Sequence, residues 1–412
     1  MKKLSDAFFP GARVFLPGQS GESQLLLDEL AADPERARDI HVMGVHFPGI
    51  GNADYLALHP GVHQTAFFMS PAVRRGMREG RADLLPLDYA GIVRYLRGMP
   101  GVDVALAQLS APDERGYCSA GVCADFLPLV WAKARRRVGH INPLLPRTEG
   151  SFRVHIQELD DVVEQASPVL TYPDNQPSDI EQRIGAQVAS LVRDGDTLQF
   201  GIGSVPLAIA NSLTNHRKLK LRTGMISASA QTLWETGALD PDARIVTGCA
   251  LGSTGFYDFL AGKEQFWFTD ASNTHDVAEL GRIPGFIAIN SAVEVDLFGQ
   301  VNSERADGTI QAGAGGLPVF AQAALQSQGG RVLICLSASA KRGTLSRIVP
   351  ALGGKGLCTL PRYMADVVIT EYGMAQIRNL SIDARAEALI RIAAPEHQAA
   401  LNEAWQTLSD KL

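Results

Sequence analysis

At 412 residues, 46% apolar, 20% charged and with a formal charge of −6, the chain is long enough for two or three domains with sizeable cores. Such a composition excludes a disordered chain, and the charge excludes a global field that would recruit nucleic acid or an acidic membrane. An anionic ligand therefore needs a local positive site.

No apolar segment of signal-peptide type follows "MKKLSDAFF", and no apolar run reaches membrane-spanning length. The five cysteines, Cys118, Cys123, Cys249, Cys335 and Cys358, form neither a CxxC pair nor an even set, which points to a reducing compartment. The expectation is a cytoplasmic protein that engages neither membrane nor nucleic acid. "GARVFLPGQSGESQLLLDEL" reads as a short strand, a Gly-bearing loop with a Ser, and an amphipathic helix, with a second strand in "DIHVMGV". His59 and His63 are four apart, but Pro60 and Gly61 lie between them, so a helical metal face is not expected, and no metal site is. "VDVALAQLSAPDERGYCSAG" is a β-rich run followed by Asp, Gly and Ser. Arg135, Arg136 and Arg137 form one local positive cluster, read here as a solvated helix end.

A linker, "TYPDNQPSD" from Thr171 to Asp179, separates an N-terminal domain (1–172) from a C-terminal domain (179–412). Beyond it, Ile180, Ile184, Val188 and Leu191 line one helical face that ends at Gly195, and the strand "DTLQF" follows. The second half repeats the first. "GDTLQFGIGSVPLAIANSL" is again strand, Gly loop with Ser, and helix; "LKLRTGM" supplies the next strand, and "GFIAINSAVEVDLFGQVNSE" answers the earlier β-rich run. Alternating strands and helices predict two related open parallel-sheet α/β domains, with ligands at the carboxyl ends of the strands and a default site in the cleft between domains.

Three stretches can hold an anion or a carbonyl. In "LQFGIGSVPLAIA", Gly201 and Gly203 permit a tight turn, Ser204 is placed to cap the helix, and Pro206 suits its first turn. Free N–H groups there favour phosphate or carboxylate. "GTIQAGAGGLPVF" sets Gly313, Gly315 and Gly316 before a helix, a source of N–H donors for an oxyanion. In "SASAKRGTL", Lys341 and Arg342 follow a buried strand. A nucleotide-binding α/β protein is the alternative, but the GxG is not a full GxGxxG, and no ribose-binding acid stands at the expected spacing.

Together with "MSPAVRRGMREGRADLLPLDYAGI", "VGHINPLLPRTEGSFRVHIQELDDVVE", "GSTGFYDFL", "SRIVP" and "ADVVITEYGMAQIRNLSIDARAEALIRIAAP", these segments resemble the acetyl-CoA hydrolase/transferase family, including the CoA-transferases that use acetate, succinate or 4-hydroxybutyrate. The resemblance implies a homodimeric enzyme that takes an acyl-CoA and a small carboxylate as substrates, with coenzyme A thioester as substrate and no permanently bound cofactor. It implies a coenzyme-contacting loop at Gly201, Ile202, Gly203, Ser204 and Val205, a coenzyme-contacting Lys341, a thioester-polarising N–H at Gly316 and an active-site asparagine at Asn273. Where the family carries an asparagine before its Gly-rich segment, this chain has Ala312.

In family transferases a glutamate in a pattern like H-[ST]-E-M-I-S-D-G attacks the acyl-CoA and carries CoA as a glutamyl thioester. The corresponding stretch here is Arg222, Thr223, Gly224, Met225, Ile226, Ser227, Ala228, Ser229, a turn whose exposed tip is expected to hold Gly224, Ser227 and Ser229. Gly224 occupies the nucleophile's place and cannot form a thioester. The readings that follow are a substitute carboxylate (Glu235, Glu294 or Glu371), attack by water or another group on an acyl-CoA held at Gly316, or thioester binding without turnover.

Overall fold

A computed structural model describes residues 2–51, 53–173, 175–353 and 357–411. Position 174 of the linker and the few other positions of the expected domain ranges not covered by these spans lie outside the described residues.

Short apolar runs followed by helices build a parallel sheet because a parallel neighbour requires a crossover. In the first unit these runs are β1 (Arg13–Phe15), β2 (His41–Met43), β3 (His63–Ala66), β4 (Ala82–Leu84), β5 (Val102–Leu109), β6 (Ala134–Ile141) and β7 (Asp161–Glu164). They lie in the order β4-β3-β2-β1-β5-β6-β7, every pair parallel. All eight residues of β5 are buried, as a central strand covered on both faces must be. The helix Gln24–Ala32 (α1) buries Leu25, Leu26 and Leu30 against Val14, Leu16, Val42 and Val104.

The second unit contains β8 (Thr197–Gln199), β9 (Lys220–Leu221), β10 (Phe286–Ser291), β11 (Arg331–Cys335), β12 (Val367–Thr370) and β13 (Gly373–Gln376). Their order is β9-β8-β10-β11-β12-β13, parallel except for the terminal hairpin strand β13. The stretch β9-β8-β10-β11-β12 thus repeats the path of β2-β1-β5-β6-β7, and the sequence pairing of "GARVFLPGQSG" with "GDTLQFGIGS" is a pairing of β1 with β8.

The compact units are not contiguous in the chain. One comprises Met1–Pro173, Arg244–Thr274 and Gln311–Gly315; the other comprises Asp174–Ala243, His275–Ile310 and Gly316–Leu412. The first break coincides with the expected linker. Segment Arg244–Thr274 is tied into the first unit by Ala124 N–H to Gly248 O (3.0 Å), Ala250 N–H to Val122 O (2.8 Å) and the Tyr257 hydroxyl to Leu170 O (2.6 Å).

Two local expectations change. Arg135–Arg137 stand on β6 rather than at a helix end: Arg135 pairs with Asp103 (3.3 Å), Arg136 with Asp161, and Arg137 Nε donates to Trp131 O (3.3 Å). Arg135 and Arg136 balance carboxylates of the sheet and Arg137 is engaged by a backbone carbonyl, so the run is not an anion site. The helix after the linker, α2 (Asp179–Ala189), stops six residues before Gly195. Ile184 and Val188 are buried, but Ile180 is 36% exposed, so the apolar stripe is narrower than its periodicity predicts.

Candidate active site

Strand β8 ends at Gln199, and residues 200–203 turn into helix α3 (Ser204–Ser212). Gly203 has φ +107°, a conformation that L side chains rarely adopt, and it is the N-cap. Ser204 is therefore the first helical residue and not the cap. Its hydroxyl is bonded to Glu181 on α2, whose carboxylate also accepts the Ser178 N–H (2.7 Å) and the Ser178 hydroxyl (2.8 Å). Burial works to raise the Glu181 pKa, but these three hydrogen bonds, led by that from Ser204, hold it below the usual carboxylate value. No side chain caps α3, so its first-turn N–H groups are left to a ligand or solvent. Residues 201–205 are half-buried, and no atom lies within 4 Å of where a Cβ would stand on Gly201 or Gly203. The loop is an open backbone cradle.

The neighbouring strand β9 runs in register with β8, Leu198 beside Leu221, and the Thr223 hydroxyl donates to Phe200 O (2.7 Å). The Gly201–Val205 loop and the Gly224 turn thus share one carboxyl edge of the sheet. The turn is shorter than expected. A two-residue strand (Met225–Ile226) follows Gly224, and helix α4 (Ala228–Glu235) begins at once. Ser227 and Ser229 are buried and hydrogen-bonded to each other (3.1 Å), so of the expected exposed tip only Gly224 is partly accessible.

What faces Gly224 is an imidazole. A Cβ at 224 would lie 2.8 Å from Cε1 and 3.1 Å from Nε2 of His275. Gly316, the N-cap of helix α5 (Leu317–Gln326), faces the same ring: its Cβ would be 2.7 Å from His275 Nε2 and 2.7 Å from Phe320 Cε2. Neither glycine has positive φ, so the backbone does not demand glycine at either position. The ring does. His275 is 5% exposed and packs on Phe320 with ring centroids 4.6 Å apart. Sequence reasoning passed over His275 although it lies two residues from Asn273, because a single histidine beside an Asp has no motif to mark it.

The remaining expected residues are placed differently. Asn273 belongs to the first unit, where its amide donates to Asp270 Oδ2 (3.0 Å) and Thr269 Oγ1 (3.1 Å). Lys341 sits at the tip of a hairpin (Ser339–Ala340 with Leu345–Ser346) and pairs with Asp307 (2.6 Å), both side chains well exposed. It borders a cleft of about 430 Å³ that also carries Glu294, Arg305 and Arg347. Ala312 contributes its carbonyl to Met69 N–H (3.3 Å). Each substitute carboxylate is engaged elsewhere: Glu371 accepts the Ala338 N–H (2.8 Å), Glu294 holds the Asn302 amide (2.9 Å), and the exposed Glu235 holds Gln231 (2.7 Å). The first unit has a cavity of its own, about 270 Å³, where β2 and β3 end, lined by Glu22, His46, Phe47, Gln64, Phe68 and Arg75. Burial depresses the pKa of His46 to about 4, so it is neutral.

The pattern of the acetyl-CoA hydrolase/transferase N-terminal domain matches residues 2–171, and that of the C-terminal domain matches residues 252–405. The chain belongs to this family. It is 31% identical over 400 residues to the 4-hydroxybutyrate coenzyme A transferase of Clostridium kluyveri, covering 95% of this chain and 92% of the relative. RipA from Yersinia pestis superposes with a TM-score of 0.91 at 26% identity, over 99% of this chain and 97% of RipA. The 4-hydroxybutyrate CoA-transferase of Porphyromonas gingivalis superposes with a TM-score of 0.83 at 27% identity, over 98% and 97%. The relatives in this family are CoA-transferases and acetyl-CoA hydrolases. Among the described residues no helix is long and apolar enough to cross a membrane.

Proposed function

We propose that this member of the acetyl-CoA hydrolase/transferase family binds a short-chain acyl-CoA and cleaves its thioester without a glutamyl-CoA intermediate at residue 224. The nominal reaction is CoA transfer to a small carboxylate. The observation that carries the reading is the Gly224–His275–Gly316 arrangement: the position assigned to the nucleophile has no side chain, and its space holds an imidazole. The Gly201–Val205 cradle receives the anionic end of the coenzyme at the first turn of α3, and the Gly316 N–H polarises the thioester carbonyl. Lys341 serves as a further coenzyme contact and Asn273 as an active-site amide. Transfer needs no enzyme carboxylate when the acceptor carboxylate attacks the thioester carbon directly. That step gives a mixed anhydride and CoA thiolate, and the thiolate then attacks the other carbonyl. Hydrolysis is the second reading, supported by the acetyl-CoA hydrolase of Kluyveromyces lactis among the relatives. The same proposal includes a cytoplasmic homodimer with no permanently bound cofactor, supported by the unpaired cysteines and by the family resemblance.

The test is incubation with acetyl-CoA or succinyl-CoA, with and without acetate or succinate, followed by chromatography of all thioesters. A new thioester bearing the added acid supports transfer, and free CoA alone supports hydrolysis. Failure to bind CoA in a calorimetric titration ends the reading.

A further inference from the structure

We infer that Arg305 and Arg347 read the 3′-phosphate of the coenzyme, so that this protein takes thioesters of coenzyme A and not those of carriers that lack this phosphate. The inference rests on the reading that the Gly201–Val205 cradle and Gly316 hold an acyl-CoA, and it gives the cleft of about 430 Å³ in the second unit to the nucleotide end of that coenzyme. Two hairpins line the cleft, Arg305–Ala306 with Thr309–Ile310 and Ser339–Ala340 with Leu345–Ser346. Its charged groups are Arg305, Lys341 and Arg347 against Glu294 and Asp307. Lys341 and Asp307 cancel in their exposed pair, and Glu294 is turned to the Asn302 amide. Arg305 donates from one arm to Gly308 O (2.8 Å), while its buried Nε finds no acceptor. Among the described residues the Arg347 guanidinium has neither an ion pair nor a hydrogen bond. Keeping two half-buried guanidinium groups without a counter-charge costs stability, and an anionic ligand offsets that cost.

Both arginines start from fixed backbone positions. The Arg347 N–H donates to Ala338 O (2.9 Å) and its carbonyl accepts the Val295 N–H (2.9 Å). The Arg305 N–H donates to Asn302 Oδ1 (2.9 Å), and its carbonyl accepts the Asn302 amide (2.8 Å). Guanidinium forks match phosphate oxygens in pairs, and a phosphate monoester carries about −1.5 to −2 charges at neutral pH where a carboxylate carries one. Volume separates the two ligands further: a short acyl chain would leave most of the cleft empty, whereas a phosphorylated ribose with its base fills a space of this size. The position of the cleft agrees. Glu294 and Lys341 follow the carboxyl ends of β10 and β11, the strands next in order after β8, whose end carries the cradle. Strands lie ~4.8 Å apart, so these ends stand roughly 5 and 10 Å from that of β8. One ribose separates the pyrophosphate of coenzyme A from its 3′-phosphate, a span of that order. The pyrophosphate thus occupies the cradle and the 3′-phosphate the cleft.

The experiment measures CoA and 3′-dephospho-CoA binding by calorimetry for wild type, Arg347→Gln, Arg347→Lys and Arg305→Gln. Wild type should prefer CoA by about tenfold to 100-fold. Each Gln variant should lose about tenfold in CoA affinity and stay within about threefold for dephospho-CoA, so that the preference collapses. Arg347→Lys, which keeps the charge without the fork, should fall between wild type and Arg347→Gln. Arg347→Gln breaks no ion pair and should melt with wild type, which keeps the test valid if Arg305→Gln disturbs its hairpin. Equal affinity of wild type for the two coenzymes overturns the inference and leaves the proposed function standing. So does an equal loss of both coenzymes in Arg347→Gln. Initial rates with acetyl-CoA and succinyl-CoA cover the remaining source of negative charge: a variant that loses succinyl-CoA turnover alone, with its preference for CoA intact, shows that the cleft reads an acyl carboxylate and overturns the assignment. A wild type that binds neither coenzyme refutes the proposed function itself.

Discussion

Gly224, Gly316 and His275 behave as one packing unit, and substitutions should report that coupling. A side chain at 224 meets the imidazole at 2.8 Å. Gly224→Glu alone should therefore lose about 1–3 kcal/mol of stability through overpacking and gain no covalent CoA adduct. Combining it with His275→Ala should recover much of that stability. Thermal unfolding of the single and double variants checks this: equal losses would show that the ring does not determine glycine at 224. A second residue-scale prediction concerns Asp125 in the first unit. Burial and the neighbouring Asp270 raise its pKa to about 8. In the unfolded chain an aspartate ionises near pH 3.9. Between these values the folded state binds the extra proton, so stability falls as pH rises through roughly 4 to 8 and levels off above that window. Asp125→Asn removes the dependence. Its melting temperature should exceed that of wild type at pH 8 by several degrees, at about 2–4 °C per kcal/mol, and match it near pH 4. Melting curves at both pH values settle the sign.

At the scale of elements, the β8–α3 turn was legible and its cap was not. "LQFGIGSVPLAIA" announces strand, tight turn and helix, and all three are present. The reading of Ser204 as cap failed because the positive φ falls on Gly203, which moves the helix start one residue earlier and gives the Ser204 hydroxyl to Glu181. That partner is 23 residues away in sequence, a separation that local pattern does not reach. Gly203→Ala forces an unfavourable backbone conformation costing on the order of 1–3 kcal/mol. Since no atom crowds the added methyl, the loss should appear as loop distortion: CoA affinity should fall more than tenfold while the melting temperature changes modestly. Calorimetry with CoA and thermal unfolding separate the two. The Arg135–Arg137 run shows the same limit. Its spacing carries no helical or strand period, and only the sheet shows that Asp103 and Asp161 stand opposite.

Across the whole molecule, the paired strand–loop–helix motifs were enough to expect two α/β sheets, and the shared path of β2-β1-β5-β6-β7 and β9-β8-β10-β11-β12 is that repeat realised in hydrogen bonds. The membership of Arg244–Thr274 and Gln311–Gly315 in the first compact unit was not legible, because nothing in their composition distinguishes them from flanking segments. Nor was His275. Its importance arises from two glycines 51 and 41 positions away converging on it, a relation that exists only in the fold. The central claim is that this family member opens acyl-CoA with no covalent enzyme–CoA species. Intact-mass spectrometry of the protein incubated with acetyl-CoA or succinyl-CoA tests it most directly. The account predicts protein of unmodified mass; a CoA-sized mass increase mapped to any glutamate would contradict it.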